Sequence, residues 1–426
     1  MNNRVNPQAV KKVNDIKASP EVAQAIAKMK IKNEQKLITA KTLTLTPYAE
    51  LERVIKGYLV ISDPGFIKII FACIVCHFLP VDPVWLLIVA GPGGGKTELL
   101  MGLLGIDDTH LLSDLTPQTF MSGYKAENGS LLDRLSPEFI LVLKDFTTVL
   151  EFPSEKLATI LAQLREIYDG TYGKEFGNGE SRFWQGKMTL IAGVTGIIER
   201  RQASIQALGE RFIKYHPIPA NSLEVTRRAI QNTGNEVQMR EDIRNVFTSY
   251  FNGLVIPDSV PEVPELYRNA IMYLAVFVAR ARSAVIREGG SNREIVDVPE
   301  PEHPTRLVKQ LINLMSALSI ISGEFTEDDY QIIYKIGMDS LPSVRRLIVQ
   351  HLVTADSPQT IDDIADAIGY VPNTTRRQLE ELQCLKIVKG DKSRNAHLYE
   401  LTVKTREQLA HAKLVSKPNT KVVDND

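Results

Sequence analysis

The stretch IVAGPGGGKTELL (residues 88–100) places four glycines and a lysine between an apolar run and a helix-forming one. Upstream, VWLLIVA (84–90) is continuously apolar with β-branched members, the pattern of a parallel strand buried on both faces. Downstream, KTELLMGLLG (96–105) opens a helix. Between them Gly91, Gly93, Gly94 and Gly95, with Pro92, allow backbone N–H groups to curl around an anion with no Cβ in the way. The positive end of the following helix points at the same anion. Strand, G-x-x-x-x-G-K-[ST] and helix make up a phosphate-binding loop, with Ala90 standing where the first glycine is usual. In that pattern Lys96 reaches the β/γ oxygens and the Thr97 hydroxyl ligates Mg²⁺, with Glu98 following on the same turn. The expected ligands are ATP and Mg²⁺.

Around this loop lies a chain of 426 residues, long enough for two to four domains. A formal net charge of -1 gives no overall pull toward nucleic acid or membrane, so either partner must be met by a local patch. The start, MNNRVNPQAVKKVNDIK, is polar and reads as no signal peptide. The most apolar stretch, FIKIIFACIVCHFL (66–79), falls short of the roughly 20 residues a span needs and reads as a buried helix. No membrane partner is expected, and three cysteines without a disulfide framework suit the cytoplasm. Cys73, Cys76 and His77 spell C-x-x-C-H, yet no second Cys/His pair completes a metal site. At i, i+3 on an apolar helix, cysteine packs as a small hydrophobe.

The pattern divides the chain into five parts. Residues 1–47 form a basic arm, with nine basic against three acidic residues up to position 45. An α/β core runs over 48–217, ending near HPIPANS. A helical region covers 218–340, interrupted by VDVPEPEHPT (296–305). A segment of different rhythm spans 341–403, and a tail expected to be disordered runs over 404–426.

A second buried strand, EFILVLKDF (138–146), ends in Asp145, placed to hold Mg²⁺ through water. The next residue is Phe146, where a water-activating glutamate is usual; Glu151 and Glu166 are other candidates for that task. A third strand, KMTLIAGVTG (187–196), ends at Thr195, beside the expected γ-phosphate position. ALGERFIKYHPIP then offers Arg211 as a cation for a neighbouring subunit's phosphate. Taken in this order, the motifs resemble the AAA+ superfamily of ring ATPases: Walker A at Ala90–Thr97, Walker B at Asp145, sensor 1 at Thr195 and an arginine finger at Arg211. The resemblance covers about residues 48–340. It implies that 304–337 holds the sensor 2 and closing helices of a lid, with Arg306 directed toward the γ-phosphate.

YGKEFGNGESRFWQGKMTLIAG runs into the third strand and carries Asn178–Gly179 between strand-like flanks, a strong hairpin signal. This resembles the pre-sensor-1 hairpin group, which includes minichromosome-maintenance and superfamily 3 viral helicases. Lys174, Arg182 and Lys187, with Phe176, Phe183 or Trp184 stacking, are the DNA-contact candidates there.

The C-terminal segment reads as helix (341–353), helix (360–370), turn, helix (374–388) and two strands, and resembles a winged-helix domain. Thr374, Thr375, Arg376, Arg377 and Gln378 are the expected outward residues of its third helix, and Lys389, Lys392 and Arg394 of its wing. The fold expected is thus α/β: a P-loop NTPase (AAA+-like) parallel sheet, an all-α lid and a C-terminal winged helix. The function implied is an ATP-dependent, ring-forming (hexameric) helicase or translocase acting on DNA in replication, of phage or mobile-element type, alongside other replication proteins. A helicase loader or replication initiator, and an ATP-dependent transcriptional regulator, remain as alternatives.

Overall fold

A computed structural model describes residues 48–123, 129–201, 210–288, 294–392 and 397–413. The basic arm, Arg394 and positions 414–426 of the expected tail lie outside the described residues.

A five-stranded, wholly parallel sheet forms the first layer system. Its strands are β1 (Trp85–Val89), β2 (Thr109–Leu112), β3 (Glu138–Leu143), β6 (Lys187–Val194) and β7 (Phe212–Tyr215), in the spatial order β2-β3-β6-β1-β7. All five residues of β1 are buried, because helices cover both faces and alternate side chains go to opposite sides. Leu86 and Ile88 enter one apolar cluster, while Trp85, Leu87 and Val89 enter the other.

On the first face lie α1 (Tyr48–Tyr58) and α2 (Gly65–Phe78). α2 is the apolar stretch, and it is a core helix: Cys73 and Cys76 are fully buried, and His77 Nδ1 lies 3.1 Å from Thr189 Oγ1. Burial pushes the Cys76 thiol up to about 12 and, together with Lys187, pulls the His77 imidazole down to about 4. Both groups are therefore neutral packing residues at ordinary pH.

The glycine loop leads into α3 (Lys96–Gly102). On the second face, α4 (Leu131–Arg134), α5 (Thr147–Leu150) and α6 (Ser154–Tyr168) precede a hairpin of β4 (Thr171–Glu175) and β5 (Ser181–Gln185). The hairpin sits where Asn178–Gly179 signalled it, with Gly179 at φ +82°, a value that favours glycine.

Beyond the sheet, α7 (Ser222–Asn232), α8 (Glu236–Gly253), α9 (Glu265–Ala281), α10 (Thr305–Ser322) and α11 (Glu327–Asp339) form the helical region. α8 packs directly on the helix that follows the glycine loop, for a Cβ at Gly102 would meet Ile243 and Phe247. The interruption expected at 296–305 begins earlier in the chain and is partly extended. β8 (Ile286–Arg287) and β9 (Ile295–Asp297) make a short ribbon, whose β-branched isoleucines and valine suit an extended chain.

The C-terminal segment contains α12 (Ser343–Thr354), α13 (Ile361–Ile368) and α14 (Pro372–Cys384). Three antiparallel strands accompany them: β10 (Gln359–Thr360), β11 (Val388–Lys392) and β12 (His397–Leu401), in the order β10-β12-β11. Thr360 caps α13 through a reciprocal box with Asp363.

The tail expectation is corrected over positions 404–412. Val403–Ala412 is a helix, α15, capped by Thr402 and laid along α9. Arg280 of α9 donates to Thr405 Oγ1 and Gln408 Oε1, the Tyr273 and His411 rings stack at 4.5 Å, and Tyr330 donates to the Ala412 carbonyl. Charge and polarity suggested a solvated tail; its contacts come from residues more than 80 positions away.

Candidate functional site

The glycine loop leaves the C-terminal end of β1 and is open to solvent over Gly91–Gly94. Gly93 (φ +79°) and Gly95 (φ +74°) occupy left-handed backbone, which turns successive N–H groups inward at little steric cost. A Cβ added at Gly91 or Gly93 would meet no atom within 4 Å, so the loop is open on that side. Lys96 Nζ donates to the carbonyls of Ala90 and Val194 (3.0 Å for the latter), the ends of β1 and β6. Burial pulls its pKa down, and Asp145 opposes that shift. Both of these hydrogen-bond acceptors are neutral carbonyls, so the ammonium is poised to donate to anionic oxygens. The Thr97 side chain is on the exposed side of this turn, and Glu98 is held bidentately by Arg240 of α8 at 2.9 and 3.0 Å.

Asp145 follows β3, two strands away from β1. Its Oδ1 accepts from Thr147 N at 2.8 Å. The Thr147 hydroxyl donates to Thr195 Oγ1 at 3.2 Å and accepts from Thr195 N at 3.1 Å. Asp145 and Thr195 are thus tied to one another through a residue the sequence reading passed over. A threonine two positions after the carboxylate was the available signal. Phe146 points the other way: it is fully buried against Phe212, with ring centroids 5.6 Å apart, so the position after Asp145 belongs to the core. Thr195 leads in turn to Glu199, also unpredicted, which accepts from Ser343 N (3.1 Å) and Ser343 Oγ (3.0 Å) at the start of α12.

Arg211 and Arg306 lie together at the opposite end of the sheet. Phe212 pairs with Trp85, so Arg211 stands at the beginning of β1 and the glycine loop at its end. Arg211 binds Asp169 at 2.6 Å, and Arg306 Nη1 lies 3.0 Å from Glu302 and 3.5 Å from the Glu210 carbonyl. Asp82, Tyr168, Asp169, Arg306, Lys309 and Gln310 border a cleft of about 350 Å³ there. The expectation that Arg306 approaches the phosphates is corrected for the chain's own loop: the whole length of β1 intervenes, roughly 13 Å at the usual rise per residue.

The hairpin candidates also change. Lys187 is not a contact residue of the hairpin; it opens β6, and its Nζ caps α2 by donating to the carbonyls of Cys76 (2.9 Å) and Leu79 (2.7 Å). Lys174 donates to the Met121 carbonyl and Arg182 pairs with Asp133 at 2.8 Å, both against the ring of Phe176. Trp184 is buried, which leaves Phe183 as the exposed aromatic of the hairpin.

In the C-terminal segment the third helix begins at Pro372, two positions before its expected start. Thr375 is therefore buried, with its hydroxyl on the Val371 carbonyl, and Gln378 accepts from Arg345 at 3.2 Å. Both turn inward, against the expectation. Thr374 and Arg377 are half-buried, the Arg377 carbonyl accepting from Arg287, while Arg376 is exposed. Lys389 pairs with Glu400 at 2.9 Å, and the backbone of Lys392 ends β11 opposite His397.

No family model matches this sequence, and no curated protein matches it. In structure the chain is similar to two solved structures of the A form of the apo C-terminal region of NrS-1. The first shows 12% identity over 84% of this chain and 79% of that one, with a TM-score of 0.27. The second shows 11% identity over 82% and 78%, also at 0.27. At that score the likeness carries no argument about fold or function. Among the described residues, no helix is long and apolar enough to cross a membrane, and no group of three or more His, Cys, Asp or Glu is arranged to hold a metal ion.

Proposed function

We propose that the chain is an ATPase of the AAA+ type that acts on DNA, most simply a ring-forming helicase or translocase of replication. The observation that carries this reading is the convergence of Lys96, Asp145 and Thr195 at the C-terminal ends of three adjacent strands, with the open glycine loop above them. Ligands of open parallel sheets bind at this end. The strand order β2-β3-β6-β1-β7 supports it, since the phosphate-loop strand lies beside the strand that ends in Thr195.

In this reading the loop amides and Lys96 hold the β/γ-phosphates, and Thr97 and Asp145 hold Mg²⁺. Bound Mg²⁺ supplies charge neutralisation for the departing γ-phosphoryl group. Thr147 keeps Asp145 and Thr195 at a fixed separation, and Thr195 orients a polar partner at the γ-phosphate. Arg211 and Arg306, at the far end of the sheet, serve the loop of a neighbouring subunit. The C-terminal segment acts as a winged helix presenting Arg376 and Lys389 to DNA, and α15 binds it to the lid so that both move together.

The burial of Phe146 favours a second reading, in which ATP drives assembly on DNA as in a loader or initiator and turnover is slow. Strand displacement on a forked DNA substrate, with wild type and Lys96→Ala, decides between them. Unwinding by the wild type alone supports a helicase. Nucleotide binding without displacement leaves the loader.

A further inference from the structure

The helix that opens the C-terminal segment does not cap its own start. α12 begins at Ser343 after Pro342, which offers no capping side chain, and its first turn contains no acidic residue. Arg345 and Arg346 stand near that end instead, two cations beside the positive pole of a helix. The acceptor comes from 144 positions away in the chain. Glu199 takes the Ser343 amide at 3.1 Å and the Ser343 hydroxyl at 3.0 Å. A second carboxylate, Asp339, receives Arg346 and, at 2.8 Å, the His216 amide. The His216 ring lies between the two carboxylates, 3.7 Å from Glu199 and 3.8 Å from Asp339.

Glu199 belongs to the nucleotide end of the sheet. It sits on the short 3₁₀ turn Gly196–Arg201, which starts at the residue after Thr195. The Ile198 amide donates to the Thr195 carbonyl at 3.3 Å, and the Ile198 side chain is fully buried. α5, which carries Thr147, packs on the same turn. A shift at Thr195 is therefore passed on to Glu199, because a packed turn moves as a body.

From α12 the contacts continue to the helix that exposes Arg376. Arg345 is buried; it donates to Gln378 at 3.2 Å and pairs with Glu381 at 2.9 Å, both on α14. The same guanidinium donates to the carbonyls of Ala281 (2.9 Å) and Ser283 (2.7 Å) at the end of α9. α15 adds a second hold on α9 through Arg280. The C-terminal segment is thus tied to the helical region by Arg345 and α15, and to the sheet beside Thr195 by Glu199.

We propose that Glu199 is a latch that caps α12 from the nucleotide end of the sheet, so that occupancy of the glycine loop sets the placement of α14 and with it the DNA affinity of the C-terminal segment. The latch stands without the ATPase reading; its response to nucleotide rests on that reading. Coupling of this kind is reciprocal, so bound DNA changes nucleotide affinity by the same factor.

Hydrogen exchange and DNA binding test the two halves. Glu199→Gln removes the charge, and Ser343→Ala removes one of the two bonds while keeping the amide, so the second variant reads the latch if the first folds poorly. Each is expected to speed amide exchange in the first turn of α12 about tenfold, with β1 and β6 unchanged. DNA affinity is read by anisotropy of a labelled duplex at fixed salt, with and without a saturating non-hydrolysable ATP analogue whose own affinity is measured in parallel. The wild type is expected to shift its DNA affinity by about fivefold or more on binding the analogue. Ser343→Ala is expected to shift by less than about twofold, with its analogue affinity in the absence of DNA unchanged. Arg376→Ala weakens DNA binding in both states and keeps the wild-type ratio. Wild-type exchange rates in both variants overturn the latch. A wild type that binds the analogue with no change in DNA affinity, or Ser343→Ala with the full wild-type shift, overturns the coupling. A wild type that binds no analogue removes the ATPase reading, and faster exchange at α12 in the variants then keeps Glu199 as a latch with no nucleotide to answer.

Discussion

The Thr147 hydroxyl donates to the Thr195 hydroxyl at 3.2 Å, while the Thr147 amide holds Asp145 Oδ1 at 2.8 Å. One side chain thus spaces the carboxylate after β3 from the hydroxyl after β6. Thr147→Val keeps the shape and the amide but removes the hydroxyl. Under the proposed ATPase function, turnover is expected to fall about tenfold, the worth of one orienting hydrogen bond, with nucleotide affinity unchanged. Equal turnover by the variant in a steady-state phosphate-release assay would show that Thr147 is only a packing residue.

Lys187 and Arg376 separate a structural cation from an exposed one that the proposed function assigns to DNA. Lys187→Met withdraws the cap from the Cys76 and Leu79 carbonyls and is expected to cost about 1–3 kcal/mol in urea unfolding, with DNA affinity unaltered. Arg376→Ala is expected to leave the unfolding midpoint in place and weaken DNA binding. Weaker DNA binding by folded Lys187→Met would return that lysine to the contact surface.

Gly186 joins the hairpin to β6 where no side chain fits. Its N–H donates to the Gly170 carbonyl, and a Cβ there would run into the Pro137 carbonyl and the Trp184 ring. The obstacle is partly backbone and cannot swing away, so Gly186→Ala is expected to lose roughly 2–4 kcal/mol. Chemical denaturation reads this directly, and a loss below half a kcal/mol would mean the hairpin root is loose.

His77 gives the fold an acid weakness. Its folded pKa lies near 4, below the ordinary 6.5, so between these values the unfolded chain binds the proton and the folded chain does not. Stability therefore falls as pH drops through that window, by about 3 kcal/mol at its lower end. Glu199 acts lower down. Burial raises its pKa, but His216, Lys214 and Ser343 outweigh that and hold it down to about 2, so its contribution is lost as pH falls below the usual carboxylate range. His77→Gln is expected to flatten the curve between pH 6.5 and 4 alone; an unchanged slope would place the proton uptake elsewhere.

Much of the architecture was legible in residue order. The apolar runs at 84–90, 138–143 and 187–194 became strands of one sheet because each is too apolar to be anything but buried. Asn178–Gly179 marked its hairpin because few dipeptides enter a left-handed turn so readily. Charged and polar side chains were the weak point. Lys187, Arg182 and Gln378 read as outward because charge and polarity usually mean solvent, yet each is claimed by a partner 33 to 111 positions distant.

The sequence by itself determined that a glycine loop follows a buried strand, that carboxylate and hydroxyl end two others, and that 66–79 is a core helix. These depend on local backbone chemistry and hydrophobic period. Tertiary structure alone decided that Thr147 links Asp145 to Thr195, that Arg211 and Arg306 share the far end of the sheet, and that Val403–Ala412 is a helix against α9. Those are relations between residues distant in the chain, and no pattern within a single segment encodes which cation meets which carbonyl once the segments pack.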